Sequence, residues 1–105
     1  LVLPSRWELS PLTPLEGFAF KKTVISSNVH GIPYTLKDKE NCSLIEPDNP
    51  KILAKSIVEL LNDKEKCNKL GNAGFDFVMK IGNSKEMAKN TLNVYEEVLR
   101  TGINI

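Results

Sequence analysis

The sequence predicts an α/β chain: about three short parallel strands threaded by one helix and a loop, followed by three helices. Residues 1–50 alternate short apolar or β-branched runs with turn residues, whereas residues 51–101 repeat apolar side chains at helical spacing. The third observation is the order of features in residues 1–16: an apolar run, a glutamate, a turn, a helix start and a second glutamate. Three short strands are too few to shield two faces, so the sheet is expected to continue into residues outside this chain.

Leu1-Val2-Leu3 reads as a strand that Pro4 ends. Leu12 to Phe20 carries Leu12, Leu15, Ala19 and Phe20 near helical spacing. Either Ser10 or Thr13 can cap this helix, with Pro11 or Pro14 at its first position. Thr23-Val24-Ile25-Ser26 is a β-branched run, expected as a buried strand. Asn28, Gly31 and Pro33 mark a loop over Ser27 to Tyr34. Cys42-Ser43-Leu44-Ile45 is a third short strand, closed by Pro47. Asp48 or Asn49 then caps a helix starting at Pro50, with Leu53, Ile57, Leu60 and Leu61 on one face. Asp63 starts the next, which lines Cys67, Leu70, Gly74, Phe77 and Val78 along one side. Its small Gly71, Ala73 and Gly74 let a neighbour approach closely. Ser84 is expected to cap the last helix, with Ala88, Leu92, Tyr95 and Leu99 as a buried stripe and Gly102 at its end.

A chain of 105 residues with net charge +1 is at most one small domain, with no electrostatic reason to bind nucleic acid. A chain of this size buries roughly 65% of its unfolded surface. No apolar run nears the roughly 18 residues of a membrane helix. The chain opens on Leu1 inside a strand-like run, so a fragment is expected. Cys42 and Cys67 are too few for a disulfide framework and read as reduced, packed thiols. The lone His30 has no His or Cys at ligand spacing, so no metal site is expected.

Glu8 and Glu16 are separated by Leu9-Ser10-Pro11-Leu12-Thr13-Pro14-Leu15. One carboxylate falls at a strand's carboxyl end and the other on the first turns of the next helix. Between them lie backbone N–H groups suited to a phosphate or diphosphate. Ligands of open α/β sheets bind outside the carboxyl ends of strands. By spacing alone the pair could instead be two acids of glycoside hydrolysis.

With these features the chain resembles the C-terminal part of the donor-binding lobe of GT-B-fold retaining glycosyltransferases, the large family 4 group. Leu3-Pro4-Ser5-Arg6-Trp7-Glu8 resembles the family's strand end and first glutamate. Ser10-Pro11 resembles its turn and Leu15-Glu16 its second glutamate. Val24-Ile25-Ser26-Ser27 with Gly31-Ile32-Pro33, then Glu40-Asn41, Leu44-Ile45 and Pro47, resemble the next strands and loops, and Leu53 to Leu99 the closing helices. The implied fold is half of a GT-B C-terminal lobe with a partial Rossmann-like sheet. Residues 1–105 would be a single piece of the nucleotide-sugar-binding domain, without the acceptor domain and the upstream part of the donor domain.

The resemblance implies a glycosyltransferase of hexosyltransferase type, inactive as this piece alone. A sugar would pass with retention from a UDP- or GDP-sugar to a saccharide or lipid-linked acceptor held by the missing lobe. Glu8 would lie against the donor sugar and reaction centre. Glu16 would accept the ribose hydroxyls, and the backbone of Ser10, Pro11, Leu12 and Thr13 would face the diphosphate. No metal or cofactor is required in this scheme. A cytoplasmic setting, peripheral to the inner membrane face, and a role in polysaccharide biosynthesis follow by analogy. The alternative is a non-catalytic nucleotide-sugar-binding or structural module of the same fold. Leu9 keeps that alternative open, because the family usually has glycine there. Other departures are Lys21 and Thr23 for glycine and proline, Tyr34 for glutamate, and Lys39 and Cys42 for two loop glycines. Lys21 would be modestly strained at φ > 0. The basic pair that clamps the diphosphate in the family lies upstream. Arg6 reads as an ion-pairing residue before a ligand, Trp7 as packing at a lobe edge, and His30 as an exposed loop residue before a nucleotide contact.

Overall fold

A computed structural model describes residues 1–81 and 83–102. Strands β1 (Val2–Leu3), β2 (Ile25–Ser27) and β3 (Ser43–Ile45) form one parallel sheet in the order β1-β2-β3. The register pairs Val2 with Ile25, and Ile25 with Ser43. Helix α1 (Thr13–Ala19) links β1 to β2, and the single turn α2 (Ile32–Thr35) lies between β2 and β3. Helices α3 (Pro50–Asn62), α4 (Lys64–Ile81) and α5 (Ser84–Thr101) close the chain. The predicted α/β architecture and its three closing helices are therefore present.

Strand alternation divides the core between the two sheet faces. On one face Phe18, Val24, Val29, Ile32, Cys42 and Val78 pack together, with Leu3 and Leu44 against them. On the other, Ile25 and Ile45 pack against Leu60 and Leu70, with Leu53 and Ile57 from α3. Glycines bring α4 onto α1. A β-carbon on Gly74 would stand 2.3 Å from the Phe18 ring, and one on Gly71 would stand 2.4 Å from the Lys21 carbonyl oxygen. The helix propensity surrendered at these two glycines, about 1 kcal/mol each, is exchanged for that contact. Glu59 of α3 and Lys66 of α4 pair across the helix junction. Their hydrogen bond holds Glu59 below the usual carboxylate range and Lys66 above the usual ammonium range.

Several elements differ from expectation for physical reasons. The loop over Ser27 to Tyr34 contains α2, because Gly31 caps it and Pro33 sits in its first turn, where a missing N–H does no harm. Strand β2 begins at Ile25 rather than Thr23. The Thr23 carbonyl accepts from the Leu1 amino group at 2.8 Å, and its hydroxyl donates to the Cys67 carbonyl at 2.5 Å. Of the two caps expected for α3, Asp48 or Asn49, it is Asn49 that accepts from the Ile52 N–H, at 3.1 Å. Asn83, not Ser84, caps α5, accepting from the Glu86 N–H at 2.8 Å.

The largest difference is α5. No residue of it is buried, and Leu92, Tyr95 and Leu99 are 54%, 63% and 84% exposed. Ala88 is exposed as well. The apolar stripe exists in the sequence, but no other described element covers it. The molecule is accordingly drawn out, with a radius of gyration of 16.6 Å against about 13 Å for a compact domain of this length.

Both cysteines are free, with Cys42 buried and Cys67 half-buried. Burial, then the nearby Asp38 carboxylate, pushes the Cys42 thiol up from 9.0 to about 12. Its Sγ donates to the Lys37 carbonyl at 3.4 Å. A folded-state pKa above the unfolded value gives stability that is complete below pH 9.0 and lost as pH rises towards about 12. Urea unfolding from pH 8 to 11 should lose up to about 1.4 kcal/mol per unit above pH 9 from this group. Cys42→Ala should show a shallower slope. Equal slopes would mean that the native thiol ionises as freely as the unfolded one.

Candidate functional site

The loop 4–12 leaves the carboxyl end of β1. Because β1 and β2 are parallel, α1 carries the chain back to the start of β2, so its N-terminus lies at the carboxyl end of the sheet. Both glutamates follow from this geometry. Glu8 is half-buried in the loop, and Glu16 is exposed on the first turn of α1.

Glu8 is held from two sides. The Ser5 hydroxyl donates to its Oε1 at 2.8 Å, and its carbonyl accepts from the Gly31 N–H at 3.1 Å. Gly31 is a glycine because the Glu8–Leu9 backbone crosses directly over it. A β-carbon there would fall 1.5 Å from the Leu9 carbonyl oxygen. The Leu9 side chain is 66% exposed. Trp7 is 63% exposed rather than packed, and its ring lies 6.0 Å from that of His30. His30 is exposed at φ 41°.

The start of α1 has no side-chain cap. The N-cap is Leu12, and neither Ser10 nor Thr13 accepts from the first turn. Leucine has no acceptor, and Thr13 is already inside the helix, one residue late for the role. Ser10, Leu12 and Thr13 therefore keep backbone N–H groups with no partner among the described residues. Pro11 and Pro14 have no N–H to offer. With seven residues, α1 is short, so these individual donors matter more than any macrodipole. Phe18, fully buried, anchors the helix from its other end.

A second feature at the carboxyl ends of the strands was not foreseen. A cavity of about 320 Å³ opens between Pro4, Ser27, Ile45, Glu46 and the first turn of α3. Arg6 and Asp48 close its rim through an ion pair at 2.5 Å, the structural role that the sequence favoured for Arg6. None of Glu8, Ser10, Pro11, Leu12, Thr13 or Glu16 lines this cavity. Its signal in the sequence is Ser27, a polar residue ending a buried strand. Among the described residues no group of three or more His, Cys, Asp or Glu is placed to hold a metal, and no helix is long and apolar enough to cross a membrane.

The three-stranded parallel sheet with its closing helices has the α/β architecture of GT-B glycosyltransferases. The chain belongs to the family of glycosyl transferases group 1, whose family model matches residues 1–77. It is 37% identical over 98 residues to an uncharacterised glycosyltransferase of Methanocaldococcus jannaschii, an alignment covering 93% of this chain and 28% of that protein. It is 30% identical over 100 residues to a D-inositol 3-phosphate glycosyltransferase of Streptomyces bingchenggensis, covering 95% of this chain and 22% of the relative. Among solved structures, sucrose-phosphate synthase from Thermosynechococcus elongatus superposes with a TM-score of 0.89 at 28% identity, over 96% of this chain and 25% of that one. The C-terminal domain of a group 1 glycosyltransferase from Francisella tularensis gives 0.72 at 29% identity, over 79% and 43%. The chain thus spans 28% and 22% of the two curated relatives.

Proposed function

We propose that this chain is part of the donor site of a retaining glycosyltransferase that uses a nucleoside diphosphate sugar, UDP- or GDP-linked, without a metal. Glu16 takes the ribose hydroxyls, the free N–H groups of Ser10, Leu12 and Thr13 take the diphosphate, and Glu8 faces the sugar. Pro11 serves by shape alone. The observation that supports this reading is the uncapped start of α1 between two carboxylates. Three unpaired donors within four residues suit an anion, and a carboxylate accepts two vicinal hydroxyls at once. As the donor bond breaks, negative charge grows on the departing diphosphate, and donors already in place stabilise it without reorganising.

In this reading the acceptor, a saccharide or lipid-linked sugar, is held by a second lobe outside this chain. The enzyme then works in the cytoplasm or peripherally at the inner membrane face. Calorimetric titration of the two-lobe enzyme carrying this chain with uridine and guanosine diphosphates tests it. Glu16→Ala should weaken binding about tenfold or more, or about 1.5–3 kcal/mol for charge-assisted bonds to a ribose. Unchanged affinity would remove Glu16 from the site.

A further inference from the structure

The cavity at the carboxyl ends of the strands contains a polar group that the fold does not use. Ser27 is 1% exposed, yet its hydroxyl has no hydrogen-bond partner among the described residues. No fully enclosed side-chain polar atom there lacks a partner, so this hydroxyl meets the cavity, whose wall Ser27 forms. Alternation places Ser27 on the sheet face of Ile25, where Ile25 and Ile45 otherwise build an apolar core against α3. A hydroxyl at this position gains nothing from the protein interior.

The rim is polar. Asn49 caps α3 through Oδ1 and donates from Nδ2 to Glu46 Oε2 at 3.2 Å. Arg6 Nε donates to Asp48 Oδ1 at 2.5 Å. Those bonds leave Glu46 Oε1, Asp48 Oδ2 and the terminal nitrogens of Arg6 without partners among the described residues. Pro4, Ile45 and Leu53 supply an apolar floor.

We propose that this cavity is a carbohydrate site separate from the Glu8–Glu16 bracket, sized for one neutral sugar ring. Its volume of about 320 Å³ lies at the lower end of the range for ligand pockets, about 300–1,000 Å³. Sugar hydroxyls donate and accept, so one ligand serves the two carboxylates, the guanidinium and Ser27 together. The C–H face of the ring suits the apolar floor. A phosphate would meet two carboxylates against a single arginine that is already paired. The choice of a sugar over other neutral polyols rests on the proposed function and deepens it, since it gives the enzyme a second place to hold carbohydrate.

The test is a titration of the two-lobe enzyme carrying this chain, followed by amide nuclear magnetic resonance. Its arms are methyl α-D-glucopyranoside, methyl α-D-mannopyranoside, inorganic phosphate and uridine diphosphate. At least one glycoside should shift the amides of Ser27, Glu46 and Asn49 saturably at millimolar concentration. Ser27→Ala and Asp48→Asn should each weaken that binding about tenfold while keeping a dispersed spectrum. Asp48 sits at φ 56°, a conformation asparagine also tolerates, so this variant decides the matter if Ser27→Ala does not fold. Glycosides that leave these amides unmoved, variants that bind as the parent does, or phosphate acting in place of sugar would each overturn the proposal. Shifts at Ser10, Leu12, Thr13 and Glu16 with uridine diphosphate test the donor reading separately, so either site can fail without the other.

Discussion

Glu8→Gln in the two-lobe enzyme should lower kcat on the order of 10²-fold or more and leave donor affinity nearly unchanged. Glutamine keeps the shape and can still accept from Ser5, which donates to Glu8 Oε1 at 2.8 Å. On the proposed reading it loses the negative charge beside the anomeric centre, where positive charge would gather as the bond to the diphosphate breaks. An interaction made mainly in the transition state appears in kcat rather than in binding. Steady-state kinetics together with a direct binding titration separate the two. A variant with normal turnover would remove Glu8 from the reaction centre, and one with normal turnover per bound donor but poor affinity would make it a ground-state contact.

Gly31→Ala should destabilise the chain by about 3 kcal/mol, the upper end of ordinary overpacking. The obstacle is backbone: the new methyl would lie 1.5 Å from the Leu9 carbonyl oxygen and 2.5 Å from its carbon. No rotamer change relieves such a contact. Relief requires moving the Glu8–Leu9 segment off α2, which breaks the 3.1 Å bond from the Gly31 N–H to the Glu8 carbonyl. For a domain of this size that loss lowers Tm by on the order of 10–20 °C. Thermal unfolding of both proteins checks it, and a shift within a degree or two would mean the loop is not held where Gly31 places it.

Much of the fold was legible because local chemistry and tertiary packing agree. The β-branched run gave β2, Asp48 or Asn49 with Pro50 gave the start of α3, and small residues at Gly71 and Gly74 announced a close neighbour, which is Phe18 of α1 and the turn after it. Lys21, standing where the family has glycine, does sit at φ 54°, with its ammonium 4.6 Å from the Phe75 ring centroid. That cation–π contact offsets part of the roughly 1–2 kcal/mol of left-handed strain. The stripe on α5 misled because periodicity states which face is apolar and not whether anything covers it. Capping misled at α1 and α5, where candidate side chains lie within a residue or three of each other and geometry chooses.

The site was legible in part. The order of strand, glutamate, turn and glutamate located the carboxyl end of β1 and the first turn of α1. The sequence could not reveal that the helix would start uncapped, since Ser10 and Thr13 both offered caps. Nor could it reveal the role of Gly31, which reads as one more loop glycine until the Leu9 carbonyl is seen against it. The cavity beside Ser27 depends on residues from three separate segments, Arg6, Ser27 and Glu46 to Asn49, which only the fold brings together.

The central claim is that Glu8 and Glu16 hold two ends of one ligand across the start of α1. Side-by-side titration of Glu8→Gln and Glu16→Ala with a nucleoside diphosphate that lacks the sugar tests it most directly. Glu16→Ala should bind about tenfold more weakly or worse, and Glu8→Gln as the parent does, because the sugar end is empty. Equal losses in both variants, or a loss in Glu8→Gln alone, would contradict that division.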